Sequence, residues 1–416
     1  TSQFSSTGLV NGDTISGVVL EYAGQTSIPG NLNVGTYSSA ITVGAISGIH
    51  SGNYVITTTP GDLSITPATL NVSANAISMT YGSSSLPSLT YSVSGLVNGD
   101  ALSGSLMTTA TAYVSGTPGS ASNVGVYPIT QGTLSVSSNY TLNFTSNNLT
   151  VTPATLTISG TTQSVVYGAG STLSTAGFAS SGLVNGDSIS AVNASFGGSA
   201  VVPQLTNAGT YSNSISLSGA TGVRLSNYQI AYNPGTLVVT PASLTVTADN
   251  VSMVYGANNL PALTYSATGL VNGDLITGAL STTATPYNGV AGSASNVGAY
   301  VINRGTIAAS SNYSINYISG TLTVTPATLN IAANNQTTTY GTAITNLGTS
   351  QFTATGLVNG DTLSAISIKY LGAITVPATV NAATYTSGLI ASNAVANVGT
   401  SLSNYSINYL PGNLIV

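Results

Sequence analysis

There is no cysteine in this 416-residue chain, so it has no disulfides and no zinc centres built on thiolates. Tryptophan, the side chain most used to stack against sugars, is also absent. Charge is nearly as scarce. Charged residues make up 3% of the chain, against about 25% in ordinary soluble domains. The basic residues are Arg224, Arg304 and Lys369, and the net charge is −5. A surface that meets nucleic acid or anionic lipid needs clustered Lys and Arg to neutralise phosphates. Neither partner is expected, and no apolar run is long enough for membrane insertion. The single lysine excludes repeated Lys–Asn crosslinks. No phosphate-cradling GxxxxGK is present. His50 is the only histidine, and no recurring or local Ser-His-Asp grouping surrounds it. No catalytic, cofactor-binding or metal-binding residue and no cofactor is expected.

What the chain does have is repetition. GLVNGD occurs five times, and its aspartates, Asp13, Asp100, Asp187, Asp274 and Asp361, stand 87 residues apart. An unbroken period of that length marks tandem copies of one folded unit. Tyr-Gly recurs at Tyr81, Tyr167, Tyr255 and Tyr340. Asn-Tyr recurs at Tyr54, Tyr140, Tyr228, Tyr313 and Tyr405. Thr-Pro-Ala, with Pro67, Pro153, Pro241 and Pro326, closes one unit and opens the next. The units expected are 1–66, 67–152, 153–240, 241–325 and 326–416.

A second period of 174 lies over the first. Phe4, Phe178 and Phe352 precede GLVNGD in the odd units, where the even units carry Tyr91 and Tyr265. GSASNVG occurs only in the even units, at Gly119 and Gly292. The array reads A-B-A-B-A, which is expected to give two alternating interfaces if chains bundle side by side. Thr1-Ser2-Gln3-Phe4 aligns with Thr349-Ser350-Gln351-Phe352. The first unit is therefore partial, and both ends read as cuts in a longer array.

Every unit has strand character. Leu70, Val72 and Ala74 alternate with polar residues, then the parity shifts to Ile77, Met79 and Tyr81. Such a shift needs a bulge or short turn near Asn75-Ala76. Tyr228, Ile230 and Tyr232 alternate, Asn233-Pro234-Gly235 turns the chain, and Leu237 and Val239 alternate again, which reads as a closing hairpin. No window has a sustained helical period. The expected fold is all-β: five small β domains, β-grasp-like or an Ig-like β-sandwich. The seams are short and carry a stiff proline, so the array is expected to extend as a rod.

Taken in order, YGANNLPALTYSATGLVNGD, SNVGAY, SNYSI and GTLTVTPA in the fourth unit, and their counterparts in the second, resemble the MBG family of YG-type repeats found in very large bacterial surface and secreted proteins. The resemblance spans essentially the whole chain. It implies an extracellular or cell-surface address and a stalk or fibre segment of an adhesin. It also implies an alternative, a multivalent array that binds mucin or other host and matrix glycans. Neighbouring copies of the chain are the expected partners of a fibre.

Two readings are open for the five aspartates. In the first, Asn-Gly forms a type I′ hairpin turn with glycine at positive φ, and the carboxylate caps nearby backbone N–H groups. In the second, the carboxylate is one ligand of a calcium ion at a seam, although no second acidic residue recurs beside it. The recurring tyrosines are expected in cores or corners with locally satisfied hydroxyls, as opposed to exposed sugar platforms. His50 aligns with Arg224 and is expected to be a loop residue without a special role.

Overall fold

A computed structural model of the chain describes residues 3–48 and 50–416. Thr1 and Ser2, which open the alignment with the fifth unit, lie outside the described residues. The chain forms two compact units, and the division between them runs through the third repeat. The first holds residues 1–161, 174–198 and 213–235; the second holds 162–173, 199–212 and 236–416.

The fourth repeat lies wholly in the second unit and displays the complete plan. Its strands are β1 (Ala242–Ala248), β2 (Val251–Val254), β3 (Tyr265–Thr268), β4 (Ser281–Thr282), β5 (Gly298–Asn303), β6 (Tyr313–Ile318) and β7 (Gly320–Thr325). They form two sheets, ordered β3-β1-β6 and β2-β7-β5-β4. The central strand β1 runs parallel to β6 and antiparallel to β3. In the other sheet β2 runs parallel to β7. The second and fifth repeats have the same two orders. Among the described residues the only helices are three-residue 3-10 turns, so the second, fourth and fifth repeats are each a two-sheet sandwich.

Two local expectations change once the sheets are seen. The parity shift at Asn75-Ala76 is the point where the chain leaves the three-stranded sheet at Ala74 and joins the four-stranded one at Ile77. Both stretches keep an inward face, because the sheets approach the core from opposite sides. The closing pair is not a hairpin. β6 and β7 are consecutive in sequence but lie in different sheets, each bonded in parallel to an earlier strand. The residue at their corner must pass very close to other backbone. A Cβ placed on Gly320 would lie 2.7 Å from the carbonyl oxygens of Ala248 and Asp249. Glycine serves that approach by its small size.

The cores are built from the alternating residues. Leu244, Val246, Leu322, Val324 and Ile302 are buried in the fourth repeat, as are Leu329, Ile331, Leu389 and Leu414 in the fifth. The buried cluster runs from Ala248 to Leu414 without a break at Thr325-Pro326. Adjacent sandwiches in this unit share apolar surface, so their stabilities are coupled, as in a one-dimensional stack.

The 174-residue period has a structural counterpart. In the even repeats β4 has two residues and β5 has six, as in Met107–Thr108 with Gly125–Thr130. In the odd repeats the same pair is long, as in Leu363–Tyr370 with Thr384–Ala396. The long pair carries register shifts, as irregular, twisted ribbons do.

Candidate functional site: the joint between repeats

GLVNGD makes the expected turn and does something more with its aspartate. Asn185 and Gly186 have φ of 57° and 70°, and Asp187 N donates to Val184 O at 3.0 Å. Two positive φ values closed by that bond define a type I′ turn. All five copies share it. The turn is not a hairpin, however. In the fourth repeat it leads from β3, bonded in one sheet, to β4, bonded in the other. Among the described residues the carboxylate also caps no backbone N–H. All five copies bond a tyrosine hydroxyl, and two of them also meet a histidine or an arginine.

In the first compact unit, Asp187 Oδ2 accepts from Tyr228 Oη of its own repeat at 2.8 Å and from Tyr81 Oη of the preceding repeat at 2.8 Å. The two rings meet edge to face, 5.5 Å apart at 82°. In the second unit Asp274 takes Tyr313 and Tyr167, and Asp361 takes Tyr405 and Tyr255, in the same way. Their ring pairs stand 5.6 and 5.5 Å apart. Three motifs separated in sequence thus form one clasp. Tyr-Gly reaches out of one repeat, GLVNGD receives it, and the Asn-Tyr ring of the receiving repeat supports the acceptor. The same supporting hydroxyl accepts from the turn itself, Val184 N to Tyr228 Oη at 2.9 Å. The Asn-Tyr hydroxyls are satisfied within their own repeat, as expected, whereas the Tyr-Gly hydroxyls are satisfied across the seam.

The rest of the Tyr-Gly and GLVNGD consensus follows from the same geometry. Gly256 sits at φ 77°, and a Cβ there would collide with Val358 Cγ2 of the next turn. Glycine lets the valine of GLVNGD lie against the backbone after the tyrosine. Asn-Tyr supplies a second link at every seam within a unit. Asn404 Nδ2 donates to Asn296 Oδ1 at 2.8 Å and its Oδ1 accepts Val297 N at 2.9 Å. Asn139, Asn227 and Asn312 repeat the bridge to Asn33, Asn123 and Asn207. No buried side-chain nitrogen or oxygen lacks a partner among the described residues.

Two kinds of joint alternate. Where an even repeat precedes an odd one, its GSAS loop covers the turn. Gly119 N donates to Asn185 O at 2.9 Å and Ala121 N to Asn185 Oδ1 at 3.2 Å; Gly292 and Ala294 do the same to Asn359. Asn185, Asp187, Asn359 and Asp361 are buried as a result. Where an odd repeat precedes an even one, the turn asparagine donates outward instead, Asn98 to Gly30 O and Asn272 to Gln204 O, and both asparagines are exposed. The A-B alternation therefore has a role along the chain that needs no lateral neighbour. GSASNVG is confined to even repeats because only their joints use it.

The single histidine and one of the two arginines belong to this site, which the sequence reading missed for His50. Arg224 Nε bonds Asp187 Oδ1, and its NH2 group donates to Asn185 O at 3.2 Å. His50 Nδ1 meets Asp13 Oδ1 at 2.9 Å, while Tyr54 Oη donates to Asp13 Oδ2 at 2.8 Å. The hydrogen bonds from His50 and Tyr54 hold the Asp13 carboxyl below its usual value. The aligned positions of His50 and Arg224 were the available signal: both carry a side-chain nitrogen that can face the aspartate. Among the described residues no three His, Cys, Asp or Glu side chains converge on a point that could hold a metal ion.

Burial is the leading cause that raises the Tyr81, Tyr228, Tyr255 and Tyr405 hydroxyls above the ordinary tyrosine value, with the neighbouring carboxylate adding to it. Neutral tyrosine is thus favoured in the folded state. An unfolded tyrosine titrates near pH 10. The stability linked to these groups is complete below about pH 10 and is lost as pH rises through the higher folded values. Urea midpoints should fall steeply above about pH 10, and less steeply in a Tyr255→Phe, Tyr405→Phe chain. Equal slopes would refute the clasp as the source.

A sandwich repeated in tandem and buttoned by a recurring pair of side chains defines a class of modular all-β array. The MBG domain family (YGX type) matches residues 1–64, 70–150, 156–238, 244–323 and 329–415, and the chain belongs to that family. No curated protein matches the sequence. Among solved structures, Drosophila N-cadherin EC1-4 is 10% identical, with 83% of this chain and 99% of that one covered at a TM-score of 0.22. The protocadherin GammaB4 extracellular domain is 10% identical, with 84% and 67% covered at a TM-score of 0.18. Superposition at that level supports no functional argument.

Proposed function

We propose that the chain is a spacer segment of an extracellular bacterial adhesion protein, extending and presenting other parts without catalysis. One observation carries this reading. The Tyr-Gly, GLVNGD and Asn-Tyr groups, which could have formed a repeated ligand site, are engaged in joining repeats. The Tyr-Gly ring is only 2–4% exposed at Tyr81, Tyr167 and Tyr255, each of which meets the GLVNGD turn of the following repeat. Membership of the MBG family supports the surface or secreted address. Scarcity of Lys and Arg leaves few sites for trypsin-like proteases there.

The strand order supports a mechanical role. The chain enters each complete repeat near β1 and β2 and leaves by β7, and β2 and β7 are parallel neighbours. Pulling the two ends apart loads their hydrogen bonds together, in shear. Single-molecule stretching should give successive force peaks, each releasing on the order of 300 Å for about 87 residues at ~3.6 Å each. Extension without peaks would overturn the spacer. Saturable binding to mucin-type glycans that strengthens with repeat number would replace it with the multivalent binder.

A further inference from the structure

GLVNGD contains a chemically labile pair. Where glycine follows asparagine, the glycine nitrogen can close on the asparagine side-chain carbonyl, because no Cβ shields it and the backbone turns freely. The same hexapeptide stands at every joint, so local sequence gives each copy the same reactivity. The fold sorts the copies into two kinds.

Where an even repeat precedes an odd one, the pair is locked. Asn185 is 1% exposed and Asn359 4%. Their amide nitrogens donate to Tyr81 Oη at 2.7 Å and Tyr255 Oη at 2.8 Å. Their side-chain oxygens accept from Ala121 N and Ala294 N. The glycines are covered as well. A Cβ on Gly186 would lie 2.6 Å from Pro118 Cβ, and one on Gly360 2.5 Å from Ala291 Cβ.

Where an odd repeat precedes an even one, the pair is open. Asn98 and Asn272 are exposed. Among the described residues each makes one side-chain hydrogen bond, from Nδ2 to Gly30 O at 3.0 Å and to Gln204 O at 3.1 Å. Nothing lies within 4 Å of a Cβ built on Gly99 or Gly273. The side chain that must swing round and the nitrogen that must reach it are both unobstructed.

We propose that Asn98 and Asn272 are sites of spontaneous deamidation, and that the reaction loosens the odd-to-even joints as the chain ages. At Asn272 the Gly273 nitrogen gives up its proton and bonds to Cγ. The Cγ–Nδ2 bond breaks, and the amide takes up a proton and leaves as ammonia. Water then opens the cyclic imide at either carbonyl, giving aspartate or isoaspartate. Each event consumes a water and leaves a new carboxylate. The joint loses the donor that held Gln204 O and gains an anion beside that carbonyl. The new charge also stands near Asp274, which already accepts from Tyr167 and Tyr313. Like charges and facing acceptors both oppose the joint. Isoaspartate adds a methylene to the main chain as well, inside a turn that fixes φ at 57° and 76°. The chemistry depends on the joints alone and not on what the array carries.

The test holds the whole chain in warm, mildly alkaline buffer, once folded and once in urea. Peptic peptides are weighed at intervals for the deamidated fraction at each of the four asparagines. In urea the four should convert at similar rates, because their hexapeptide is identical. In the folded chain Asn98 and Asn272 should convert about tenfold faster or more than Asn185 and Asn359, which react only after local opening. Equal rates in the folded chain, or faster conversion at Asn185 and Asn359, would overturn the proposal. An Asn272→Asp chain isolates the consequence, since it places the same charge against Gln204 O without waiting. Amide hydrogens at 204–207 and 271–274 should then exchange faster than in the original chain. Unchanged exchange at both segments would overturn the loosening.

Discussion

Asp187→Ala is expected to destabilise the second and third repeats together by about 3–5 kcal/mol, the cost of removing one partner from a buried, hydrogen-bonded charge. The carboxylate is fully buried and accepts from Tyr81, Tyr228 and Arg224. Without it, two tyrosine hydroxyls keep their burial and lose their acceptor, which is the expensive half of a broken hydrogen bond. The damage reaches back across the seam because Tyr81 belongs to the preceding repeat. Asp100→Ala is the control. Asp100 makes the same turn but, among the described residues, accepts from the side chain of Tyr140 alone, and it is exposed. Its loss should cost about 1 kcal/mol or less after solvent screening. Denaturant midpoints combined with repeat-resolved hydrogen exchange would measure both. Comparable losses in the two variants, or an effect of Asp187→Ala confined to the third repeat, would sink the clasp.

Gly186→Val should be nearly as damaging, for a different reason. The position has φ 70°, and a Cβ there would lie 2.6 Å from Pro118 Cβ in the preceding repeat's loop. Valine therefore adds backbone strain of about 1–3 kcal/mol to overpacking of about 1–3 kcal/mol. Gly273→Val separates the two contributions. Gly273 has φ 76° with nothing within 4 Å, so strain alone applies. The gap between the two variants measures how tightly an even repeat's loop presses on the following turn. Equal melting losses would mean that the loop gives way and the joint is soft.

The repeat period, the all-β class and the A-B-A-B-A order are carried by the sequence itself. Identical anchors at fixed spacing, and apolar residues alternating at period two, are one-dimensional signals that survive without coordinates. The type I′ turn was equally legible, because Asn-Gly is among the few pairs that tolerate two successive positive φ values. What those anchors do for one another was decided by tertiary structure. Tyr81 and Asp187 are 106 residues apart, and nothing local in either motif indicates that a hydroxyl in one repeat completes a carboxylate in the next. The hairpin expected at Asn233-Pro234-Gly235 failed for the same reason. Alternation shows that a stretch is a strand with one buried face, but partner choice depends on which sheet closes the core. His50 looked idle because its aligned position in the third repeat holds a different residue, Arg224; only the fold brings it within 2.9 Å of Asp13. Local propensity and pattern determine the elements, whereas long-range burial of polar groups, which must find partners wherever the packing leaves them, determines the joints.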